Sequence, residues 1–307
     1  MARARRRPEP PRFDLTMRRA QTPLEHLLHH VRAEPSRTWS IIMSLYGDAI
    51  VPRGGSVWLG TVQQFCAHLG IADGVVRTAM SRLATDGWLT RRRVGRRSFY
   101  ALSERGHLTF RDASAHIYVQ QPVRWHGAYD LVIVSAPADR DALRGTMTNA
   151  GFGLLAPDMW LAPAGQALPA ALSPHLRLAL SGDDASQRAL AKRVWPIAAM
   201  AAAYARFLRA FRPLHIAITA GGALSGLDAL AARVLLVHEY RRIVLRDPIL
   251  PVEILPQDWP GAAARALCGE IYPRVLASSE RWLDAHALDE RGQPLGRARG
   301  LDSRFTS

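Results

Sequence analysis

The sequence predicts an α+β protein in three parts: an N-terminal winged helix-turn-helix domain, a middle ferredoxin-like domain and a C-terminal helical domain. Signals for a helix, a turn, a second helix and a hairpin follow one another over residues 60–102. A buried strand is expected at 129–135, followed by a helix and further short strands. From residue 196 onward, apolar residues recur mainly at helical spacing.

Glycines and a capping residue set the limits of the first domain's elements. The first helix of the pair is expected to end at Gly70. The second is expected to begin near Asp73 as its N-cap and to stop at Gly87. Two short strands with a tight turn at Gly95 follow. This is the order of elements in many DNA-binding proteins.

The second helix has an apolar stripe and an opposite polar face. The stripe has helical spacing and comprises Val76, Ala79, Met80 and Leu83. The face, called the polar face below, comprises Arg77, Thr78, Ser81, Arg82 and Thr85. Arginine can bond guanine through two hydrogen bonds, and serine or threonine can reach bases or phosphates. The sequence therefore predicts a recognition helix for the major groove.

The hairpin that follows carries five arginines and no acid. These hairpin arginines are Arg91, Arg92, Arg93, Arg96 and Arg97. Such a tip is suited to phosphates or to a narrow minor groove. The alternative is a solvated amphipathic helix beside a basic hairpin that has no partner. Because the arginines stand at the wing position of a complete motif, we expect DNA binding.

The charge distribution supports a polyanionic partner. The 307 residues carry a formal net charge of +14. Residues 1–106 hold 18 arginines and 8 acids, a net charge of +10, whereas residues 107–307 hold 22 lysines plus arginines and 18 acids, a net charge of +4. The positive excess is therefore concentrated in the predicted DNA-binding part.

Other sequence features exclude several classes of protein. No stretch of about 20 strongly apolar residues is present, so we expect no membrane span. The basic start MARARRRPEP lacks the apolar segment of a secretory signal. Cys66 and Cys268 are expected to be buried free thiols of a cytoplasmic protein. Neither has His or Cys neighbours at metal-ligand spacing, and no cofactor is expected.

The predicted domain limits follow from prolines and changes of pattern. They are a disordered basic arm at 1–35, the winged domain with a linker helix at 36–121, the ferredoxin-like domain at 122–220, the helical domain at 221–288 and a disordered tail at 289–307. Ser103 is expected to cap the linker helix, and Pro122 to mark the boundary. The segment LHIAIT is expected to be a strand of the middle domain, and Pro273 leaves open whether the last helix is broken.

Four segments carry a resemblance to a known family: SLYGDAIVPRGGSVWLG with VRTAMSRLATDGWL; GRRSFYALSERG; WHGAYDLVIVSAP with GFGLLAPDMWLAP; and EYRRIVLRDPILPVEILPQDWPGAAA. Through them the chain resembles the PaaX family of bacterial repressors of phenylacetic acid degradation. The resemblance implies the same three parts, with a middle domain similar to a small CRISPR-associated nuclease. It also implies that phenylacetyl-coenzyme A, or a related acyl-CoA, releases the repressor from operator DNA.

An acyl-CoA effector needs cations for its phosphates and aromatic groups for its rings. The densest candidate cluster comprises Tyr240, Arg241, Arg242, Arg246 and Trp259. We expect the effector to bind there, between the middle and C-terminal domains. The alternative is structural: Glu239 and Arg242 are three apart on one helix and can pair, and Trp259 can fill a core.

The competing functional hypothesis is a metal-dependent nuclease targeted by the winged helix. The sequence has no G-x-S-x-G elbow, no H-E-x-x-H motif and no phosphate loop. A nuclease needs clustered carboxylates for its metal ion, yet Asp130 and Asp139 stand apart and position 135 is serine. We therefore expect a homodimeric repressor that binds palindromic DNA and is not an enzyme.

Overall fold

The computed structural model describes residues 22–25, 27–28, 37–119, 124–134, 139–170 and 176–306. Most of the predicted basic arm, the boundary at Pro122 and Ser135 lie outside these ranges. The segment LEHLLHHVRAEP at the end of the arm has the pattern of a short helix, and the part of the arm that is described is ordered. Residues 23–25 and 27–28 are helical, and Leu24 and Leu27 are buried in the main core.

The N-terminal part, residues 37–118, consists of four helices and a small sheet. The helices are α1 (Thr38–Leu45), α2 (Leu59–His68), α3 (Asp73–Thr85) and α4 (Glu104–Tyr118). A π-helical turn, Tyr46–Ile50, and a 3-10 turn, Val51–Arg53, continue α1. The strands β1 (Val57–Trp58), β2 (Leu89–Val94) and β3 (Arg97–Leu102) form an antiparallel sheet in the order β1-β3-β2.

Local sequence signals explain these limits. Ser103 accepts a hydrogen bond from the backbone N–H of Gly106 and caps α4, as predicted. Gly70, Gly87 and Gly95 have positive φ where α2, α3 and β2 end, a conformation that glycine adopts without a Cβ penalty. Asp73 is the first residue of α3 rather than its cap, because Ala72 occupies the N-cap position.

The middle part is a four-stranded sheet with two helices. Its strands are β4 (Ala128–Ile133), β5 (Gly153–Ala156), β6 (Met159–Pro163) and β7 (Leu176–Ser181), and its helices are α5 (Arg140–Asn149) and α6 (Asp184–Val194). The sheet order is β5-β6-β4-β7, and all of its pairs are antiparallel. Helix α5 connects β4 to β5, whereas α6 follows β7.

The remaining long elements are the helices α7 (Ile197–Thr219), α8 (Gly226–Val244) and α9 (Gly261–His286), with a 3-10 turn at Val252–Ile254. The predicted strand LHIAIT is wrong, because residues 214–219 complete α7. Helix α9 runs through Pro273 without a break. The predicted boundary at 220 is also wrong, because Phe207, Phe211 and Leu214 of α7 belong to the core formed with α8 and α9.

The predicted disordered tail is wrong for the residues that the structure describes. The chain turns back at an antiparallel bridge between Leu288 and Pro294, and the residues up to 306 then pack against earlier parts of the chain. Leu295, Leu301 and Phe305 are buried, and the Phe305 ring packs against Tyr118, Tyr240 and Tyr272. The tail is ordered because these apolar side chains enter the main core.

That core is continuous between the N-terminal and C-terminal parts. One cluster of buried apolar residues contains Ile42 and Met80 together with Leu235, Ile271 and Phe305. The middle sheet has separate, smaller clusters on its two sides. The N-terminal domain is therefore fixed to the helical domain by shared packing.

Candidate nucleic-acid interface

Helix α3 is positioned so that its polar face points to solvent. Val76, Met80 and Leu83 are buried, and Ala79 is half-buried, as the apolar stripe predicts. All five residues of the polar face are exposed. The structure also brings them together, since among the described residues these five line one open depression on the surface.

Two contacts within α3 shape this face. The Arg82 Nε lies 3.6 Å from an Asp86 carboxylate oxygen, and both side chains are exposed. The Thr78 hydroxyl donates to the Gly74 carbonyl at 3.0 Å and keeps its acceptor lone pairs. An exposed i,i+4 ion pair contributes only about 0.3–0.5 kcal/mol, so Arg82 can exchange Asp86 for a phosphate or a base at little cost.

The hairpin arginines are all exposed, and several contact neighbouring groups. Arg91 donates to the Ser98 hydroxyl at 3.1 Å, and Arg93 donates to the Gly95 carbonyl at 3.1 Å. The Arg97 guanidinium lies over the Trp58 ring, 5.1 Å from its centroid. Arg92 is ion-paired with Glu290 of the C-terminal segment. These contacts orient the guanidinium groups and keep them accessible to solvent.

The five candidate effector residues are not gathered into one site. Tyr240 is 1% exposed, and its ring packs against Phe207 with centroids 5.8 Å apart. Trp259 packs edge-on against Tyr204 at 5.7 Å. Both rings therefore pack in the core. For Trp259 this agrees with the alternative that its ring fills a core and does not bind an effector.

The three arginines of that cluster point to two different places. Arg241 faces α1, where its Nε donates to the Ser44 hydroxyl at 2.7 Å and its Nη2 donates to the Ser40 carbonyl at 2.8 Å. Arg242 and Arg246 line a groove between α7 and α8. Arg242 also pairs with Glu239 at 3.2 Å, as its three-residue spacing predicts.

A buried polar cluster links the N-terminal part to the helical domain, and the sequence did not reveal it. The Asp48 carboxylate is fully buried and accepts from Arg233 Nε at 2.6 Å, Arg304 Nη1 at 2.5 Å, Tyr118 at 2.8 Å and Tyr272 at 2.9 Å. We call these five residues the junction cluster. Burial opposes ionisation, but the two guanidinium groups and the two tyrosine hydroxyls lower the pKa of Asp48.

The only local signals for this cluster are charges in apolar surroundings. Asp48 stands in SLYGDAIV and Arg233 in ALAARVLLV. Fully buried Asp and Arg are rare unless they are paired. Since the two residues are 185 positions apart, nothing in the local pattern joins them.

His238 is a second buried polar group on α8, beside Arg241. Its Nδ1 lies 2.9 Å from the Ser44 hydroxyl. Burial, reinforced by Arg241 and Arg242, lowers the pKa of His238 to about 3, so the ring is neutral at physiological pH. Ser44 of α1 therefore connects two residues of α8, His238 and Arg241.

The middle domain gives no support to the nuclease hypothesis. The Asp130 carboxylate accepts from Arg177 Nη2 at 2.5 Å and from the Gly165 N–H at 2.8 Å. Asp139 caps α5 by accepting from the N–H groups of Asp141 and Ala142. Within the described ranges, no group of three or more His, Cys, Asp or Glu side chains is placed to hold a metal ion.

A helix with exposed arginines and hydroxyls, beside an arginine-rich hairpin, is typical of nucleic-acid-binding proteins. Comparison with known families agrees. Residues 37–106 match the family model described as PaaX-like protein, and residues 195–285 match that of the PaaX-like protein C-terminal domain. The chain is 36% identical, over 267 residues, to the transcriptional repressor PaaX of Escherichia coli (strain K12). The alignment covers 82% of this chain and 84% of that protein. The chain therefore belongs to the PaaX family.

A solved structure, the uncharacterized protein Rv0674 from Mycobacterium tuberculosis, is 26% identical with a TM-score of 0.49. It is matched over 71% of this chain and 90% of its own. In the part of the chain that the structure describes, no helix is both long and apolar enough to cross a membrane.

Proposed function

We propose that this chain is a transcriptional repressor that binds operator DNA as a homodimer through a winged helix-turn-helix. The observation that carries the proposal is the polar face of α3, whose five residues are all exposed, beside the hairpin arginines. In this assignment α2 and α3 are the helix pair, α3 enters the major groove, and the β2–β3 hairpin is the wing. The repressor activity of the E. coli relative supports it.

We also assign the middle domain to the ferredoxin-like class. Numbered from β4 to β7, its strands stand in the order 4-1-3-2 and are all antiparallel, with a helix crossing from the first strand to the second. Among the described residues, the layout departs from that class in that α6 follows the fourth strand. In this account the middle domain has a structural role and no catalytic one.

The proposed effector is phenylacetyl-coenzyme A or a related acyl-CoA, which lowers operator affinity. The support is the family, together with Arg242 and Arg246 in the groove between α7 and α8, where guanidinium groups can meet phosphates. An effector can shift the equilibrium only through its different affinities for the two states. Tenfold release requires a difference of about 1.4 kcal/mol.

The proposed effector is tested by measuring whether the thioester releases the protein from operator DNA. Operator binding is followed by fluorescence anisotropy, using DNA from upstream of the neighbouring genes, with phenylacetyl-CoA, phenylacetate or coenzyme A added. We expect phenylacetyl-CoA to weaken binding at least tenfold and the other two to leave it unchanged. Equal effects of phenylacetyl-CoA and coenzyme A would exclude recognition of the acyl group.

The contribution of the wing should appear in the salt dependence of DNA affinity. Replacing Arg96 and Arg97 by alanine should weaken binding to operator and scrambled DNA alike, because phosphate contacts carry no sequence information. Each lost phosphate contact lowers the slope of log K against log salt by about 0.9, so the double variant should lose about 2. The measurement is anisotropy from low to moderate salt; an unchanged slope would place both arginines away from the DNA.

A further inference from the structure

The junction between the N-terminal part and the helical domain contains a cavity of about 150 Å³. Its walls come from α1, α4 and α8 and are mostly apolar, with Met43, Phe110 and Val237 among them. Leu83, in the last turn of α3, and Trp88, just after it, complete the wall. The cavity therefore touches the base of the proposed recognition helix directly.

The size and opening of this junction cavity fit one flat ring with an attached chain. In another protein, an apolar cavity of about 150 Å³ binds benzene. Trp39 and Leu245, which also line the cavity, are 39% and 41% exposed, so the cavity opens to the surface between α1 and α8. A ring can lie inside while the rest of a larger molecule leaves past these two residues.

One cation lines the apolar space. Arg241 is held by neutral partners, the Ser40 and Ser44 oxygens, and does not take part in any ion pair among the described residues. Burial, reinforced by Arg242, lowers the pKa of its guanidinium, whereas Tyr118 and Glu239 act in the opposite direction. A carbonyl or carboxylate oxygen of a bound molecule would compensate the Arg241 charge by a charge-assisted hydrogen bond.

We propose that the junction cavity receives the aryl-acyl end of the effector, with the ring among Phe110, Trp88 and Met43 and the acyl oxygen facing Arg241. The proposal rests on the proposed function and places the aryl-acyl end at the junction of the N-terminal part with the helical domain, not between the middle and C-terminal domains as the sequence predicts. The floor of the cavity includes Asp48 and Tyr118 of the junction cluster. A ring inside the cavity would contact α3 and would also contact the residues that fix α3 to the helical domain.

A larger side chain on α4, one wall of the cavity, should reduce the volume that is open to the ring. Ala113 is half-buried and lines it, whereas Ala115, two residues further along α4, is exposed. In Ala113→Leu, phenylacetyl-CoA should bind at least tenfold more weakly and should no longer release operator DNA. Ala115→Leu, the matched control, should behave as wild type in effector binding, release and ligand-free operator affinity, and release of each variant is measured relative to its own operator affinity without ligand. Ser114→Leu, from the next lining position, should repeat the result if Ala113→Leu folds poorly.

Calorimetry with phenylacetyl-CoA and acetyl-CoA, paired with operator anisotropy, separates the outcomes. Wild type should prefer the aryl thioester at least tenfold, and Ala113→Leu should lose this preference. If phenylacetyl-CoA releases wild type and both lining variants equally, the cavity assignment is wrong and the proposed function stands. If it releases none of the proteins, wild type included, the effector in the proposed function is wrong, and the occupant assigned here falls with it.

Discussion

Replacing Asp48 by alanine is expected to destabilise the protein by about 3–5 kcal/mol, the cost of removing one partner from a buried ion pair. Arg304 loses the carboxylate that it contacts at 2.5 Å, and Tyr118 and Tyr272 lose their acceptor. Arg233 keeps Glu280, also at 2.5 Å, so part of its charge stays compensated. The free energy of unfolding in urea measures the effect.

Asp284→Ala is the matched control in the same region. The Asp284 side chain pairs with Arg53 at 2.8 Å but is 56% exposed, and the buried Arg53 keeps a second carboxylate, Glu280, at 2.6 Å, so Asp284→Ala should cost much less than Asp48→Ala. A loss below 1 kcal/mol for Asp48→Ala would mean that the junction cluster does not hold the two parts together. Because the pKa of Asp48 is lowered, its contribution is present above the ordinary carboxyl pKa and is lost only as pH falls through the lower value.

Arg77→Ala is expected to cost about 1–3 kcal/mol in operator binding, roughly a 5- to 150-fold loss of affinity, and to relax sequence preference. Arg77 is exposed at the N-terminal end of the polar face. Arg82→Ala should cost less than Arg77→Ala, because Arg82 must give up Asp86 before it can contact DNA.

Arg193→Ala is the control, since Arg193 is an exposed arginine on α6 of the middle domain. Arg193→Ala removes the same charge at a position distant in sequence from α2 and α3. It should leave operator affinity nearly unchanged. Anisotropy on operator and scrambled DNA compares the three variants. Equal losses on both DNAs for Arg77→Ala would show that Arg77 contacts only phosphates.

The parts of the fold that local signals specify were predictable. The exposed polar face of α3 follows from helical spacing, and the caps by Ser103 and Asp139 follow from side chains that accept backbone hydrogen bonds. These features depend on residues within a few positions of one another. For the same reason the order of helices and strands over residues 59–102 was correct.

Features that depend on distant partners were not predictable. Residues 214–219 are β-branched enough to resemble a strand, but they continue a helix that buries Phe207, Phe211 and Leu214. Packing outweighed local propensity there, and Pro213 inside the helix did not break it. In the tail, Leu295, Leu301 and Phe305 are too widely spaced to show periodicity, and their burial depends on distant aromatic residues.

The position of the candidate effector residues also depends in part on distant partners. The run of arginines on α8 suggested a single cluster, but successive residues on a helix face different directions. Arg241 therefore faces α1 and the junction cavity, while Arg242 and Arg246 face the groove with α7. Helical spacing separates Arg241 from Arg242, but the neighbouring helix that each one meets depends on the three-dimensional arrangement.

Affinity cleavage can show whether α3 enters the major groove of operator DNA. Cys66 and Cys268 are buried, and burial raises the pKa of both thiols, that of Cys66 to about 12. A cysteine introduced on the surface is therefore the reactive thiol for an iron–EDTA reagent. Gly74, at the start of α3, and Gly145, on α5, are both exposed and have open space for a side chain.

The two conjugates, Gly74→Cys and Gly145→Cys, are bound to operator DNA and cleavage is mapped on both strands. We predict that the Gly74→Cys conjugate cuts within each half-site of the operator, because the N-terminal residues of a recognition helix approach the base edges. The Gly145→Cys conjugate should leave the operator uncut. Cleavage from Gly145→Cys, with none from Gly74→Cys on DNA that the conjugate still binds, would contradict the account.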